Sequence, residues 1–115
     1  ESGMLATAIA WACDLAENGY RPATVSTIKV AGVTGLEQLE GWLCEQEEAG
    51  AITAYDRVVG ASLARVLCGG DRNEEKVEEG KILDLERAEF LRLCGNKETR
   101  QRIDHMLRTG KPLRN

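Results

Sequence analysis

One stretch of the sequence repeats its apolar residues with the period of an α-helix more clearly than any other. Seven residues advance in steps of three and one and so share one helical face: Tyr55, Val58, Val59, Ser62, Leu63, Val66 and Leu67. Thr53 precedes them as a candidate N-cap, with Asp56 three residues later, and Gly69 and Gly70 follow as candidate stops. The pattern predicts an amphipathic helix with a buried face, against which the rest of the chain must pack.

Four further segments show the helical period, and they predict an all-α fold. One of them opens with Thr34 and Glu37, spaced as a capping box, and is followed by Gly50. A turn of about three residues would join this helix to the one that Thr53 begins, which makes the two antiparallel neighbours. The other three helices are predicted over residues 2–18, 81–94 and 97–108. The predicted architecture is a small irregular bundle of about five helices with antiparallel neighbours.

The first predicted helix is slim because alanine fills many of its positions. The residues expected to face inward are Leu5, Ile9, Trp11, Ala12 and Leu15. Small side chains on several sides let other helices approach closely, so we expect this helix to be covered on more than one side.

Three segments outside the helices complete a single predicted domain over residues 1–115. Residues 20–33 contain a β-branched run, which predicts an extended connection without a partner strand. Residues 69–80 are polar and acidic and predict a surface linker, although their Glu-rich half could extend the next helix backwards. Residues 109–115 form a basic tail, after a last helix that Asn96 is expected to cap. A chain of 115 residues is long enough for one core and too short for two.

The charges are unevenly distributed along the chain. The formal net charge is −4, which argues against nucleic-acid binding driven by counterion release. Residues 97–115 nevertheless carry six basic and two acidic side chains, and no aromatic residue that could stack on bases. We therefore expect no nucleic-acid partner. The basic end either faces an anionic partner or folds against the acidic body of its own chain.

No apolar run approaches the roughly 20 residues that cross a bilayer, so no membrane partner is expected. The four cysteines are widely spaced and the chain has a single histidine, so no metal site is predicted. Each cysteine stands among apolar residues, which predicts reduced thiols in the core. No secretory signal is visible, and we expect a cytoplasmic protein.

The sequence contains only weak candidates for a catalytic site. Gly32 and Gly35 lack the third glycine and the strand of a dinucleotide-binding turn. His105 is the one candidate base, and we interpret it as a surface or interface histidine. Adjacent carboxylates such as those at positions 47–48 and 74–75 diverge on a helix, so they are interpreted as solvated charges. No catalytic residue is assigned.

Glu86 and Arg87 fall inside the apolar arc of the helix predicted over residues 81–94. Two interpretations stay open. The first is that polar partners, water or charges on other helices cover them, and the second is a partly buried ion pair or substrate contact. An unpaired charge in the core would cost several kcal/mol.

Several runs of residues resemble those of a known protein family. The run Leu-Asp-Leu-Glu-Arg-Ala-Glu-Phe-Leu from position 83 and the closing run Arg-Ile-Asp-His-Met-Leu-Arg-Thr-Gly-Lys-Pro-Leu-Arg-Asn over residues 102–115 resemble the carboxyl end of bacterial 3-hydroxyacyl-CoA dehydrogenases. The resemblance is to the long form, which also carries an enoyl-CoA hydratase/isomerase (crotonase-like) region and serves fatty-acid β-oxidation. The segment 52–71 looks similar to that family as well, as does the opening Ala-rich helix followed by residues 19–22.

The resemblance implies that the chain is an accessory helical domain, excised from the carboxyl end of a larger enzyme. Its partners would be the remaining domains, an acyl-CoA and further copies of the chain. The NAD cofactor would be bound in another domain and none in this one. Lys111 and Pro112 resemble a Lys-Pro near the end of many crotonases, close to the CoA nucleotide. Leu113 replaces the aromatic residue that commonly follows, which leaves a contact by charge.

The residues expected at the CoA phosphates are Arg108, Lys111 and Arg114. The alternative function is a non-catalytic helical module for protein–protein interaction, whose apolar surface docks another chain.

Overall fold

The structure is a computed structural model that describes residues 2–73 and 76–115. It contains, in chain order, α1 (Ser2–Glu17), β1 (Thr27–Lys29), α2 (Gly32–Glu48), α3 (Ala54–Leu67), β2 (Lys76–Glu78), α4 (Glu79–Cys94) and α5 (Lys97–Thr109). The described ranges thus hold five helices and one short two-stranded ribbon, and the prediction of an all-α fold is confirmed. Glu1 and the carboxylate pair at positions 74–75 lie outside the described residues.

Helix α3 forms the centre of the fold and packs against α2 on one side and α4 on the other. Its predicted start is confirmed, because Thr53 and Asp56 form a reciprocal capping box. The Asp56 N–H donates to Thr53 Oγ1 at 3.1 Å, and the Thr53 N–H donates to Asp56 Oδ2 at 3.0 Å. Gly69 and Gly70 follow with φ of 79° and 80°, in the left-handed region that stops a helix.

The connection after α1 has a partner strand, and the prediction that it has none was wrong. β1 pairs antiparallel with β2, with Thr27 opposite Glu78, Ile28 opposite Val77 and Lys29 opposite Lys76. β2 lies within the segment that the sequence predicts to be an acidic linker. Val77 explains the difference, because it is only 4% exposed and anchors the ribbon to the core.

Helix α1 does not pack as predicted. Every residue from 3 to 29 is exposed, including all five that were expected to face inward. The cause is that no other described element covers this helix, whereas α2, α3, α4 and α5 each pack against the next in sequence.

The core is small and lies where α3 ends. Its buried hydrophobic residues are Val30, Leu43, Ala64, Val66, Cys68 and Val77. Position 69 requires glycine for two reasons. Its backbone is in the left-handed region, and a Cβ at this position would lie 2.9 Å from Val30 Cγ2.

All four cysteines are free thiols, but they do not all lie in the core as the sequence predicts. Cys68 is buried and Cys94 is half-buried, whereas Cys13 and Cys44 are exposed. Burial raises the pKa of the Cys68 thiol. The two exposed cysteines belong to helix faces that nothing in the described chain covers.

Several helix ends differ from the sequence prediction. α2 begins at Gly32, ahead of the expected capping box at Thr34, and its N-cap residue Ala31 has no side chain that could cap. α4 begins at Glu79, because the end of β2 runs directly into the helix. None of the described helices is both long and apolar enough to cross a membrane.

Candidate functional site

The basic tail after α5 begins with a tight reversal of the chain. Gly110 adopts φ 68° and its N–H donates to the Met106 carbonyl at 2.8 Å, so this glycine ends α5. Thr109 Oγ1 donates to the His105 carbonyl at 2.8 Å and accepts the Lys111 N–H at 3.2 Å. These bonds direct residues 111–115 back along the helix. Asn96 occupies the N-cap position of α5, but its side chain makes no capping hydrogen bond.

Asn115 fastens the tail to the body. Arg102 Nε donates to Asn115 Oδ1 at 2.7 Å, and Arg102 Nη2 donates to the Asn115 backbone oxygen at 3.2 Å. Thr53 Oγ1 donates to the same backbone oxygen at 3.0 Å. Of the two arrangements that the charge pattern left open, the described residues adopt the one in which the tail folds against its own body.

Arg102 itself is held by α3. Its Nη1 donates to Asp56 Oδ1 at 2.7 Å, and its guanidinium lies 5.0 Å from the centre of the Tyr55 ring. The Tyr55 hydroxyl shares a 2.7 Å hydrogen bond with the buried Thr99 of α5. The Thr53 backbone N–H and Arg102 together hold the pKa of Asp56 below its usual range. The cluster Thr53, Asp56, Arg102 and Asn115 is called the tail latch below.

The latched tail and α5 enclose a shallow, open pocket of about 480 Å³. We call it the tail pocket; it is lined by Gln101, Asp104, His105, Arg108, Thr109, Leu113 and Asn115. Leu113 and His105 are half-buried, and the other lining residues are exposed. The pocket therefore offers one apolar contact within a mainly polar rim.

The three cations expected at a CoA phosphate lie at this end of the molecule. Arg108 lines the tail pocket and donates to Asp104 Oδ1 at 2.8 Å, in an exposed pair that solvent screens. Lys111 and Arg114 flank the pocket on the exposed tail and do not line it. Within residues 2–73 and 76–115 neither is in an ion pair. The structure therefore leaves two cations available to an anion and a third in a weak pair.

The proposed buried ion pair of Glu86 and Arg87 is not formed. Both side chains are exposed, and in the described part of the chain neither has an ionic partner. The arc on which they lie is not covered, as Leu83 and Phe90 beside them are also exposed. Both side chains are open to water, one of the coverings named in the first interpretation, and a substrate contact stays a prediction.

The buried carboxylate of α4 is Glu89, which is 8% exposed and which the sequence analysis did not single out. Its Oε2 accepts from Arg92 Nε at 2.9 Å, and its Oε1 lies 3.3 Å from Arg65 Nε of α3. Arg65 also makes a bidentate pair with Asp71 at 2.7 and 2.6 Å, and this pairing raises the pKa of Arg65 and lowers that of Asp71. These charges compensate one another, so we interpret the cluster as a structural connection between helices.

Arg102 is the functional-site residue that sequence reasoning missed. Its spacing from Ile103 and Met106 places it beside the apolar stripe of α5, a position typical of an arginine that packs on a neighbouring helix. That signal indicates a contact without naming its partner.

One curated protein is similar to this chain over most of the chain's length. It is named probable 3-hydroxyacyl-CoA dehydrogenase, from Bacillus subtilis (strain 168), and it is 36% identical over 105 residues, which are 90% of this chain. The chain spans only 13% of the length of that relative. Neither a protein-family model nor a solved structure matches the chain. The chain is thus related to a part of a 3-hydroxyacyl-CoA dehydrogenase-like protein.

Proposed function

We propose that the chain is an accessory helical domain of a fatty-acid β-oxidation enzyme of the 3-hydroxyacyl-CoA dehydrogenase type. The observation that carries this proposal is the 36% identity over 90% of the chain to a protein that bears this name. Since the chain spans 13% of that relative, the hydride-transfer chemistry and its NAD cofactor belong to the remaining polypeptide. The domain lies at the carboxyl end, next to a crotonase-like region, and supports packing and assembly.

The same domain contributes a contact to the phosphates of CoA. Arg108, Lys111 and Arg114 stand within seven consecutive residues at one end of the molecule, where Gly110 reverses the chain. The tail latch supports this role because it orders the segment that carries two of the three cations, so less conformational entropy is lost on binding. Guanidinium and ammonium groups are the side chains suited to phosphate oxygens.

Calorimetric titration of the chain with CoA at low salt tests this contact. We expect weak binding that raised salt abolishes, because the cations are exposed and screened. Replacing both Lys111 and Arg114 by Ala should weaken it about tenfold, since two charge-assisted bonds are lost. The double variant Arg21→Ala with Arg87→Ala removes the same charge from exposed residues elsewhere and should change the affinity less than about twofold.

Equal weakening by both double variants would mean that net charge attracts CoA without a site, which would overturn the tail contact. Absence of binding at every CoA concentration up to millimolar would overturn it too. The accessory role has its own test: the purified chain should neither reduce NAD with a 3-hydroxyacyl-CoA nor hydrate an enoyl-CoA. Turnover of either substrate would contradict it.

A second candidate function, a protein–protein interaction module, is favoured by one observation. All five large apolar side chains of α1 are more than half exposed, and so is Trp42 of α2. Contiguous apolar surface of this kind marks a surface that another protein covers.

A further inference from the structure

Helix α1 buries no face that would fix its position on the rest of the chain. Residues 3–29 are all exposed, and the side-chain hydrogen bonds of α1 within the described residues stay inside the helix and its end. A helix keeps its place on a domain chiefly through the apolar face that it packs there. We therefore treat α1 as separate from the packed body, which comprises residues 26–73 and 76–115.

The end of α1 is fixed by its own residues. Asn18 Nδ2 donates to both the carbonyl and the carboxylate of Asp14 at 2.9 Å. The Tyr20 N–H donates to the Leu15 carbonyl at 2.9 Å. Gly19 lies between these two bonded residues with φ 75°, in the left-handed region that ends a helix. The helix therefore stops at a defined point before it reaches the packed body.

The next five residues, 21–25, are not held by any other part of the described chain. They form no hydrogen bond and no ion pair within it, and all five are exposed. Pro22 prevents this segment from continuing α1, because it lacks an N–H and its ring clashes with the preceding turn of a helix. Thr24 and Val25 are β-branched and favour extended backbone. The segment is thus an extended connection whose backbone dihedral angles no bond restrains.

The packed body begins abruptly after this segment. The Glu79 N–H donates to the Ser26 carbonyl at 3.0 Å, and Thr27 pairs with Glu78 in the ribbon. Val30 follows and is only 3% exposed, so it anchors the chain in the core before α2 starts. The unbonded segment therefore lies between a helix end and a strand that are both fixed by hydrogen bonds, and chain motion is confined to it.

We propose that residues 21–25 form a hinge about which α1 and the packed body move independently of each other. Rotation at the hinge breaks no hydrogen bond of the described chain and uncovers no buried side chain, so packing does not oppose it. If the surface that covers α1 belongs to another part of a longer protein, the hinge lets the packed body and its basic tail change orientation relative to that part. The proposal does not rest on the CoA contact.

Distances between spin labels on the full chain test the hinge. The exposed native thiols of Cys13 in α1 and Cys44 in α2 are labelled, with Cys94 replaced by Ser and the buried Cys68 left in place. The reference pair lies within the packed body and joins Cys44 to Glu86→Cys, in a chain that carries Cys13→Ser and Cys94→Ser. Double electron–electron resonance in dilute frozen solution should give a distance distribution at least about twice as broad for the first pair. Equal widths would overturn the proposal.

Limited proteolysis of the unaltered chain by chymotrypsin is a second test that needs no substitution. Three aromatic side chains are similarly exposed, Tyr20 at 63%, Trp42 at 53% and Phe90 at 56%. Tyr20 adjoins the hinge, whereas Trp42 and Phe90 belong to helices that pack on α3. Because cleavage requires local unfolding of the backbone, we expect the chain to be cut after Tyr20 at least about tenfold faster than after the other two. Mass spectrometry that shows equally fast cleavage after Trp42 or Phe90 would contradict the hinge.

Discussion

Arg102 connects three parts of the chain through one guanidinium group. It bonds Asp56 at the start of α3, packs on Tyr55 and holds both the side chain and the backbone of Asn115. The Arg102 and Asp56 side chains are 21% and 20% exposed, so this pair is less screened than the surface pair of Arg108 and Asp104.

Replacing Asp56 by Asn should reduce the free energy of unfolding by about 2 kcal/mol, because one amide oxygen cannot accept both bonds and the negative charge that pairs with Arg102 is lost. Asp104→Asn is the matched control, as it breaks an exposed aspartate–arginine pair and should cost less than about 0.5 kcal/mol. Urea denaturation followed by circular dichroism measures both values. Equal losses of unfolding free energy in the two variants would show that the Asp56–Arg102 pair contributes no more to stability than an exposed ion pair.

The contribution of Asp56 should depend on pH with a defined sign. Its pKa in the folded protein is lowered, so the folded state binds fewer protons than the unfolded state, whose aspartate pKa is about 3.9. The stability difference between the wild type and Asp56→Asn is therefore complete above about pH 5 and is lost as the pH falls through the folded pKa. A difference that is the same at pH 7 and pH 2.5 would contradict this.

Interactions between individual residues were predictable from the sequence where the two residues lie close together along the chain. Thr53 and Asp56 stand three residues apart, and this spacing alone identifies the capping box. The bond between Asp56 and Arg102 spans 46 positions, and nothing in the local pattern indicates which arginine completes the cluster. The cations at this end of the chain were predicted from charge, whereas the latch that orders the segment carrying Lys111 and Arg114 depends on the tertiary fold.

At the scale of elements, α3 and α4 are joined by a buried carboxylate as well as by apolar contact. Glu89 of α4 lies between Arg92 of its own helix and Arg65 of α3. The buried Ser62 of α3 accepts a further hydrogen bond from Arg92. Because Glu89 is almost fully enclosed, its charge is stabilised by these two arginines rather than by water.

Glu89→Gln should lower the free energy of unfolding by about 2 kcal/mol, since both guanidinium groups lose the negative charge that they share and one of its two acceptor oxygens. Glu86→Gln is the matched control on the same helix, and it should change the stability by less than about 0.5 kcal/mol because Glu86 is exposed. Urea denaturation of both variants at pH 7 measures the difference. A larger effect of Glu86→Gln would restore the buried pairing that the sequence suggested for Glu86 and Arg87.

Among the elements, periodic helices were predictable and the ribbon was not. α3 and α5 begin where the sequence predicts, because their apolar periods and flanking residues agree. β2 has only three residues, of which Val77 alone is apolar, so no alternation can reveal a strand. Its pairing with β1 is a contact across about 50 positions, which a local pattern does not encode.

At the scale of the whole molecule, the chain separates into two unlike ends. Helices α2 to α5 pack in sequence, and α5 forms the tail pocket with the tail that follows it, whereas α1 lies outside that packing with its apolar residues exposed. The residues predicted to face inward on α1 are apolar, as expected. Within the described chain, however, they are exposed and do not pack against another element. A helix that is apolar on most sides needs a partner, and the covering surface is not part of the described residues.

We propose that the basic tail contacts the phosphates of CoA. Two-dimensional ¹H–¹⁵N spectra of the labelled chain, recorded during titration with CoA at low salt, test it most directly. We predict that the shifted amide signals are confined to the last turn of α5 and residues 109–115, and that replacing Lys111 and Arg114 by Ala removes most of the shift. Spectra that do not change at millimolar CoA, or shifts centred on another part of the chain, would contradict the claim.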